Sequence, residues 1–366
     1  MAASVFVAVL VATLLYSGLW SSSRSVNGST GCPDVTTFAS AVEPFDSSQM
    51  RALRNLSTKD RLIQLAQPLL VERPVGSKNH DIVRDYLVSS MRKLSWSVSF
   101  DSFEQDTVDG RHKFDNIIAS LHPNAPRKLV LAAHFESKKM PGFIGAIDSA
   151  VPCAILLQLA EALTPLVRRN GSSAKAELGL QFVFFDGEEA FQAWTATDSI
   201  YGARHLAARW SAEKGVSPDC TVLKEMDSLV LLDLIGHKNT QFCYLSHGSS
   251  NRALVDKEKA LFSGLVSAET RLRKSGLLSD SKGATFFQPV VRYGQIEDDH
   301  VPFRQRQVPV VHIIAVPFPP VWHNINDNAD NINWDQSEDI GAIVQLWTAE
   351  MLHLRPIVNG SGGNEL

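Results

Sequence analysis

The segment GLQFVFFDGEE, residues 179–189, joins a short apolar run to three acidic side chains. A run of this kind is typical of a β-strand that is covered on both faces. Three similar runs follow the same pattern, at residues 128–134, 229–235 and 308–314. Helical stretches are predicted between them at 150–166, 199–213, 251–275 and 336–354. This alternation predicts an α/β/α sandwich around a central mixed, largely parallel twisted sheet.

Length and composition favour one large α/β domain. The chain has 366 residues, with 44% hydrophobic and 20% charged side chains, which is ordinary for a globular protein. No internal repeat or low-complexity linker divides it, so a single domain is expected over residues 33–355. The 35 Lys and Arg residues against 39 Asp and Glu give a net charge of −4. There is no basic excess to support nucleic-acid binding.

The N-terminal residues and the glycosylation sequons indicate where in the cell the protein is directed. Residues 2–20 are apolar or small and are followed by three serines, which predicts a secretory signal peptide over residues 1–23. An uncleaved signal anchor is the alternative, and only then would the protein be held at a membrane. Four glycosylation sequons fit a secreted or lumenal protein, at Asn27, Asn55, Asn170 and Asn359. Residues 356–366 are predicted to form a disordered tail.

The cysteines do not define the fold. Four are present, at positions 32, 153, 220 and 243, which is too few for a disulfide-built scaffold. Four cysteines allow three pairings, and the sequence alone does not choose among them. Because there is no Cys-x-x-Cys motif, a thiolate zinc site is not expected.

Polar side chains gather where the predicted strands end. In open α/β sheets, functional sites lie beyond the carboxyl ends of the strands. The polar residues at these positions are His134, Glu136, Asp148, Asp186, Glu188, Glu189, Asp233, Asp298, Asp299, His300 and His323. Histidine nitrogens with carboxylate oxygens suit a zinc ion that keeps one position open for catalysis. A divalent metal site is therefore predicted at this edge.

Each of these residues also has an ordinary structural interpretation. Glu188 and Glu189 could lie at a helix N-terminus, where the dipole favours acids. His134 and His312 could be hydrogen-bonded core residues. Asp233 is harder to explain in that way, because a carboxylate inside the run LVLLDLI is costly unless a metal or a partner satisfies it.

Seven motifs together resemble a known family. They are AHFESK (133–138), DSAVPC (148–153), FFDGEEAF (184–191), DSIYGARH (198–205), LLDLIG (231–236), DDHVPF (298–303) and VWH (321–323). The combination resembles the M28-type zinc metallopeptidase clan, and within it the animal glutaminyl-peptide cyclotransferases, or glutaminyl cyclases. The resemblance covers residues 43–354 and implies a zinc-exopeptidase-like fold for the catalytic domain.

The resemblance implies a set of site residues. Asp148, Glu189 and His323 match the zinc ligands of the family, for one zinc per chain, and Glu188 matches its general acid and base. The remaining matches are two catalytic carboxylates that hydrogen-bond around the reacting groups (Asp233 and Asp298), three aromatic pocket residues (Trp194, Phe318 and Trp322) and a supporting histidine (His312).

Two positions depart from the family pattern. Glu297 matches the position where relatives often carry a glutamine beside the substrate, and its charge is expected to affect substrate preference. The family has a disulfide to the position of Cys153, but its partner position is Ala133 here. Cys153 is therefore expected to be a buried free thiol.

The activity implied by the resemblance is cyclisation of an N-terminal glutaminyl residue to pyroglutamate, with release of ammonia. The substrates would be peptides or proteins with N-terminal glutamine, and N-terminal glutamate is a second candidate substrate. The protein is expected to be monomeric.

Two alternatives remain open. A secreted aminopeptidase of the same clan would hold two zinc ions with His134, Asp148, Glu189, Asp233 and His323. The tryptophan directly before His323 and the run DDH at 298–300 favour the cyclase. A non-enzymatic binding protein on an inactivated fold is disfavoured, because no expected catalytic position is lost.

Overall fold

The computed structural model describes residues 32–38, 42–169, 177–246, 248–294 and 296–358. The predicted signal segment 1–23, the sequons at Asn27, Asn170 and Asn359, and the last eight residues of the predicted tail lie outside these ranges. The described strands are β1 Ser97–Thr107, β2 Gly110–Ser120, β3 Arg127–His134, β4 Leu178–Phe185, β5 Met226–Asp233, β6 Phe242–Ser246, β7 Phe287–Tyr293 and β8 Val310–Ile314.

Six of these strands form the central sheet, in the order β1-β2-β4-β3-β5-β8. Strands β4, β3, β5 and β8 run parallel to one another, and each contains most of one of the four apolar runs of the sequence. Strands β1 and β2 form an antiparallel hairpin that joins the sheet through β4. The predicted mixed, largely parallel sheet is confirmed.

The described helices are α1 Ser47–Arg54, α2 Lys59–Ala66, α3 Lys78–Lys93, α4 Val151–Arg169, α5 Tyr201–Ala212, α6 Arg252–Lys274, α7 Val301–Arg304 and α8 Trp334–Met351. Several begin at a polar residue whose side chain accepts a hydrogen bond from the first turn, as Asp46, Thr58, Ser77 and Asn333 do. The four helices predicted between the strands are confirmed to within a few residues.

Side chains of the parallel strands alternate between two cores. Leu131 and Phe182 point into the larger core, which contains residues of α1 to α4, α6 and α8. Val130 and Val183 point to the opposite face, where they pack with residues of α5 and α7. Helices therefore cover both faces of the sheet. Helix α4 is long and apolar enough to cross a membrane, but 89% of its apolar window is buried inside the fold, as expected of a core helix.

Two features differ from the sequence prediction. The run 229–235 ends as a strand at Asp233, because Leu234 turns the chain with a left-handed φ of 50°. Strands β6 and β7 form a separate two-stranded parallel sheet that the sequence did not indicate. Strand β7 contains a proline and is largely exposed, so it lacks the apolar alternation by which strands are recognised.

The structure also settles the cysteines. Cys32 and Cys220 form a disulfide across 188 residues of sequence. Cys153 and Cys243 are buried free thiols, which confirms the expectation for Cys153.

Candidate active site

A cavity of about 520 Å³ opens at the carboxyl ends of the parallel strands. Nine of the eleven residues that the resemblance assigns to the site line it: Asp148, Glu188, Glu189, Trp194, Asp233, Glu297, Phe318, Trp322 and His323. They come from loops that follow different strands, so the sheet brings distant parts of the sequence to one place.

Asp148, Glu189 and His323 form the polar centre of the cavity. One side-chain ligand atom from each lies within 4.8 Å of the others. His323 Nε2 is 3.2 Å from Glu189 Oε1 and 3.5 Å from Asp148 Oδ2. His323 has a φ of 52°, in the left-handed region that a histidine seldom adopts. The loop around it therefore imposes this placement against the backbone preference.

This donor set fits a zinc ion. Asp148 Oδ2 and Glu189 Oε1 are buried and make no hydrogen bond within the described part of the chain. Burial alone would lower the pKa of His323, but the two carboxylates raise it to about 9, so the cluster stabilises positive charge. One imidazole nitrogen and two carboxylate oxygens leave a fourth tetrahedral position open, as in catalytic zinc sites.

The loop before α4 places Asp148. Gly145 has a φ of 52°, and a Cβ at this position would lie 2.1 Å from the carbonyl oxygen of Asp148, so only glycine fits. The backbone N–H of Ile147 donates to Asp327 Oδ1 at 2.8 Å. Arg73 is fully buried and donates to the carbonyl oxygens of Ile144 and Gly145 in the same loop.

A carboxylate behind the cavity fixes the acidic pair. Glu136 Oε1 accepts hydrogen bonds from the backbone N–H groups of Glu188 at 2.5 Å and Glu189 at 3.1 Å. Lys138 Nζ contacts Glu189 Oε2 at 3.0 Å. These contacts hold one acidic side chain in the polar centre and leave Glu188 on the cavity wall beside it.

The environments of Glu188 and Asp233 raise the pKa of both carboxyl groups, which makes each carboxylate a stronger base. Burial raises the pKa of Glu188 well above its usual range, and the negative charges of Asp298 and Glu189 add to the effect against that of His134. Burial also raises the pKa of Asp233 to about 6. Its Oδ1 accepts hydrogen bonds from the Ser149 hydroxyl at 2.5 Å and from the backbone N–H of Leu234 at 2.8 Å.

Asp298 is a predicted catalytic residue that does not line the cavity. It is buried behind the wall, where its Oδ2 accepts a hydrogen bond from His312 Nε2 at 2.7 Å. The predicted partnership of His312 with the acidic network is therefore present. Neighbouring Asp299 is buried without a side-chain hydrogen bond in the described residues, and burial and Asp298 raise its pKa well above the usual range.

Aromatic rings form the rest of the wall. The ring centroids of Phe318 and Trp322 are 4.8 Å apart, and the Trp322 ring stacks on His323 at 4.0 Å. On another side of the cavity, Trp194 Nε1 donates to Glu297 Oε2 at 2.8 Å. The cavity therefore combines a charged floor with flat apolar walls.

A second group of potential ligands lies next to the first. His134, Asp148 and Asp233 each offer one ligand atom within 4.8 Å of the others, which is the group that the aminopeptidase alternative requires. His134 is fully buried, does not line the cavity, and donates from Nε2 to Asp148 Oδ1 at 3.0 Å.

Some residues of the site received no role from the sequence. Arg73 gave no signal, because a single arginine before a proline marks nothing. The sequence placed Glu136 at a strand end and Lys138 in the same motif, but it gave neither residue a role of its own. Glu136 accepts hydrogen bonds from two backbone N–H groups that lie more than 50 residues later in the chain. The sequence gives no sign of this contact, because it depends on how β3 and β4 pair.

Comparisons with known proteins give the family. The sequence pattern of peptidase family M28 matches residues 116–348. The glutaminyl-peptide cyclotransferase of Drosophila melanogaster is 41% identical over 323 residues, which cover 84% of this chain and 86% of that protein. The Bos taurus glutaminyl-peptide cyclotransferase is 40% identical over 79% of this chain and 81% of its own length.

A solved structure agrees with these sequences. The crystal structure of Macrostomum lignano glutaminyl cyclase is 98% identical in sequence, covers 90% of this chain and 100% of its own, and superposes with a TM-score of 0.87. The chain belongs to the glutaminyl-peptide cyclotransferases, within peptidase family M28.

Proposed function

We propose that the cavity binds the N-terminal glutaminyl residue of a peptide or protein and catalyses its cyclisation to pyroglutamate with release of ammonia. The observation that carries this proposal is the convergence of Asp148, Glu189 and His323 with the acidic wall residue Glu188 in one aromatic cavity. The relatives named as glutaminyl-peptide cyclotransferases support the same reaction class. The enzyme is an acyltransferase.

We infer that Asp148, Glu189 and His323 hold one zinc ion per chain. Zinc would supply Lewis acidity at the open position, where the γ-carbonyl oxygen of the substrate gains negative charge. The unsatisfied oxygens of Asp148 and Glu189 support this assignment.

The rest of the chemistry belongs to the protein side chains. The α-amine nitrogen of the substrate forms a bond to the γ-amide carbon, and the bond from that carbon to the amide nitrogen breaks. Glu188 accepts the proton from the attacking amine and passes it to the leaving nitrogen, which departs as ammonia. Because Glu188 lies beside Glu189 on the cavity wall, it reaches the reacting groups without serving as a metal ligand.

Asp233 and Asp298 assist the proton transfer from different positions, one on the cavity wall and one behind it. Asp233 lines the cavity and is fixed by the Ser149 hydroxyl, so it can accept a hydrogen bond from the amine or from the leaving ammonia. Asp298 lies behind the wall and acts through its charge on Glu188. Trp194, Phe318 and Trp322 enclose the flat glutaminyl side chain and exclude water, which favours attack by the amine over hydrolysis.

We further propose that the protein is a monomer in the secretory-pathway lumen or outside the cell, after cleavage of residues 1–23 ahead of the catalytic domain 33–355. The disulfide between Cys32 and Cys220 supports an oxidising compartment. Asn55, the one sequon asparagine within the described residues, is exposed and open to glycosylation.

Product analysis tests the proposed reaction. Purified enzyme is incubated with a glutaminyl peptide, and ammonia and free amino acids are measured together with bound zinc. We expect ammonia without free glutamine, one zinc per chain, and loss of activity on chelation. Release of free glutamine by protein carrying two zinc ions would support the aminopeptidase. His134, Asp148 and Asp233 would then hold the second zinc ion.

A further inference from the structure

We propose that Glu297 and the depression beside it form a second subsite, which binds a positively charged side chain at the position directly after the N-terminal glutamine. This inference rests on the proposed function, because it extends the same site from the glutaminyl residue to the next residue of the peptide. It assigns to this chain a preference for glutaminyl peptides whose second residue is lysine or arginine.

Two cavities share one wall at Glu297. Ile296 and Glu297 line both the active-site cavity of about 520 Å³ and a depression of about 260 Å³. The rest of the depression is lined by Gly248, Ser249, His300, Val301, Arg304, Gln305 and Gln307. At half the volume of the active-site cavity, it suits a single side chain rather than a complete ligand.

The direction in which a substrate must lie brings its second residue to this wall. The γ-amide has to reach the group of Asp148, Glu189 and His323 at the floor of the cavity. The remainder of the peptide then leaves through the mouth, where Trp194 is 38% exposed and Glu297 is exposed as well. A side chain that crosses the shared wall enters the second depression.

Glu297 provides an uncompensated negative charge on this wall. Its carboxylate accepts a hydrogen bond from Trp194 Nε1 at 2.8 Å, and a neutral indole leaves the charge in place. Among the residues that the structure describes, no lysine, arginine or histidine forms an ion pair with it. Arg304, the cation on the wall of the depression, is already paired with Glu258 through a contact of 2.6 Å.

The size of the expected preference follows from exposure. A partly exposed ion pair changes affinity by about two- to fivefold, and added salt weakens it. A lysine after glutamine is attracted to Glu297, and a glutamate is repelled, so the two substrates should differ by about threefold or more. The contact lies away from the reacting atoms and is the same before and during the reaction, so the difference should lie in KM rather than kcat.

The test compares three substrates with two variants. The substrates are Gln-Lys-Gly amide, Gln-Glu-Gly amide and glutaminyl anilide, which has no second amino acid. Glu297→Gln removes the charge but keeps an oxygen that can accept the Trp194 hydrogen bond. Glu161→Gln is the matched control, because it removes one partly exposed carboxylate of helix α4, where Glu161 pairs with Arg61.

We expect the wild type and Glu161→Gln to favour the lysine peptide through a lower KM, and Glu297→Gln to bring the two peptides close together. High salt should also narrow the wild-type difference. Equal KM values for the two peptides in the wild type, or a ratio that persists in Glu297→Gln, would overturn the subsite. If the wild-type enzyme converted none of the three substrates, the proposed function itself would be wrong.

Discussion

Replacing Arg73 tests how the protein holds the metal-ligand loop. The guanidinium is fully buried, and its nearest hydrogen-bond partners are carbonyl oxygens rather than carboxylates. It donates to the carbonyl groups of Leu69, Val71, Phe135, Ile144 and Gly145. Burial lowers the pKa of Arg73. The side chain therefore ties the segment after α2 to the loop that carries Asp148.

The cost of Arg73→Met follows from the carbonyl groups that would lose their partner. Leu69 and Gly145 keep another donor, from the N–H groups of Val71 and Ala150. Phe135 and Ile144 lose the only donor that the described residues offer them. Each unsatisfied buried carbonyl costs about 1–3 kcal/mol. Removing a buried charge offsets part of this, so we expect a loss of about 2–4 kcal/mol in the free energy of unfolding.

Urea denaturation followed by tryptophan fluorescence measures this loss, and competition with a chelator measures zinc affinity on the same samples. Arg61→Met is the matched control, because Arg61 forms a surface pair with Glu161 and should cost less than about 1 kcal/mol. Zinc binding should weaken in Arg73→Met only. If Arg73→Met were as stable as Arg61→Met and bound zinc with unchanged affinity, Arg73 would not hold the loop that carries Asp148.

Three further predictions concern separate parts of the molecule. Glu188→Gln should keep zinc but lose about 100-fold or more in turnover, since an amide cannot carry the proton, whereas Glu189→Gln should lose zinc itself. Equal metal loss in the two variants, measured by metal analysis, would contradict the roles of Glu188 as proton carrier and Glu189 as zinc ligand. Cys220→Ser should lower the free energy of unfolding by about 2–4 kcal/mol, because the disulfide constrains a long loop of the unfolded chain; a denaturation midpoint equal to that of the wild type would count against this role. Burial lowers the pKa of Lys257 to about 8, against the opposing effect of Asp227. Between that pH and the ordinary lysine pKa the unfolded chain binds more protons, so the stability of the wild type relative to Lys257→Met should rise by about 1 kcal/mol per pH unit, and a flat or falling difference would contradict the shift.

The sequence predicted the parts of the fold that depend on local pattern. The four buried parallel strands each appear as a continuous apolar run, because both faces of such a strand are covered. Strand β7 was missed, because an exposed edge strand with Pro289 has neither a continuous run nor an alternation. The pairing of Cys32 with Cys220 could not be predicted either, since it depends on how distant segments fold together.

The candidate site divides in the same way. Residues that follow strand ends, such as Glu189 and Asp233, could be placed near one another from topology alone. Topology does not predict how deeply each side chain is buried. Asp298 and Glu297 are neighbours in sequence, yet Asp298 lies behind the cavity wall and Glu297 lies at its exposed rim. The contribution of Arg73 was also invisible, since its partners are backbone carbonyl groups that no sequence pattern marks.

The proposed reaction requires that the substrate amine, and not water, attacks the γ-amide in this cavity. Its most direct test is mass analysis of the product formed from a glutaminyl peptide in heavy-oxygen water. We predict a peptide that has lost ammonia and contains no heavy oxygen, formed by the wild type and nearly abolished in Glu188→Gln. A product that contains heavy oxygen, or free glutamine released from the peptide, would show that water is the nucleophile and that the protein does not catalyse the proposed cyclisation.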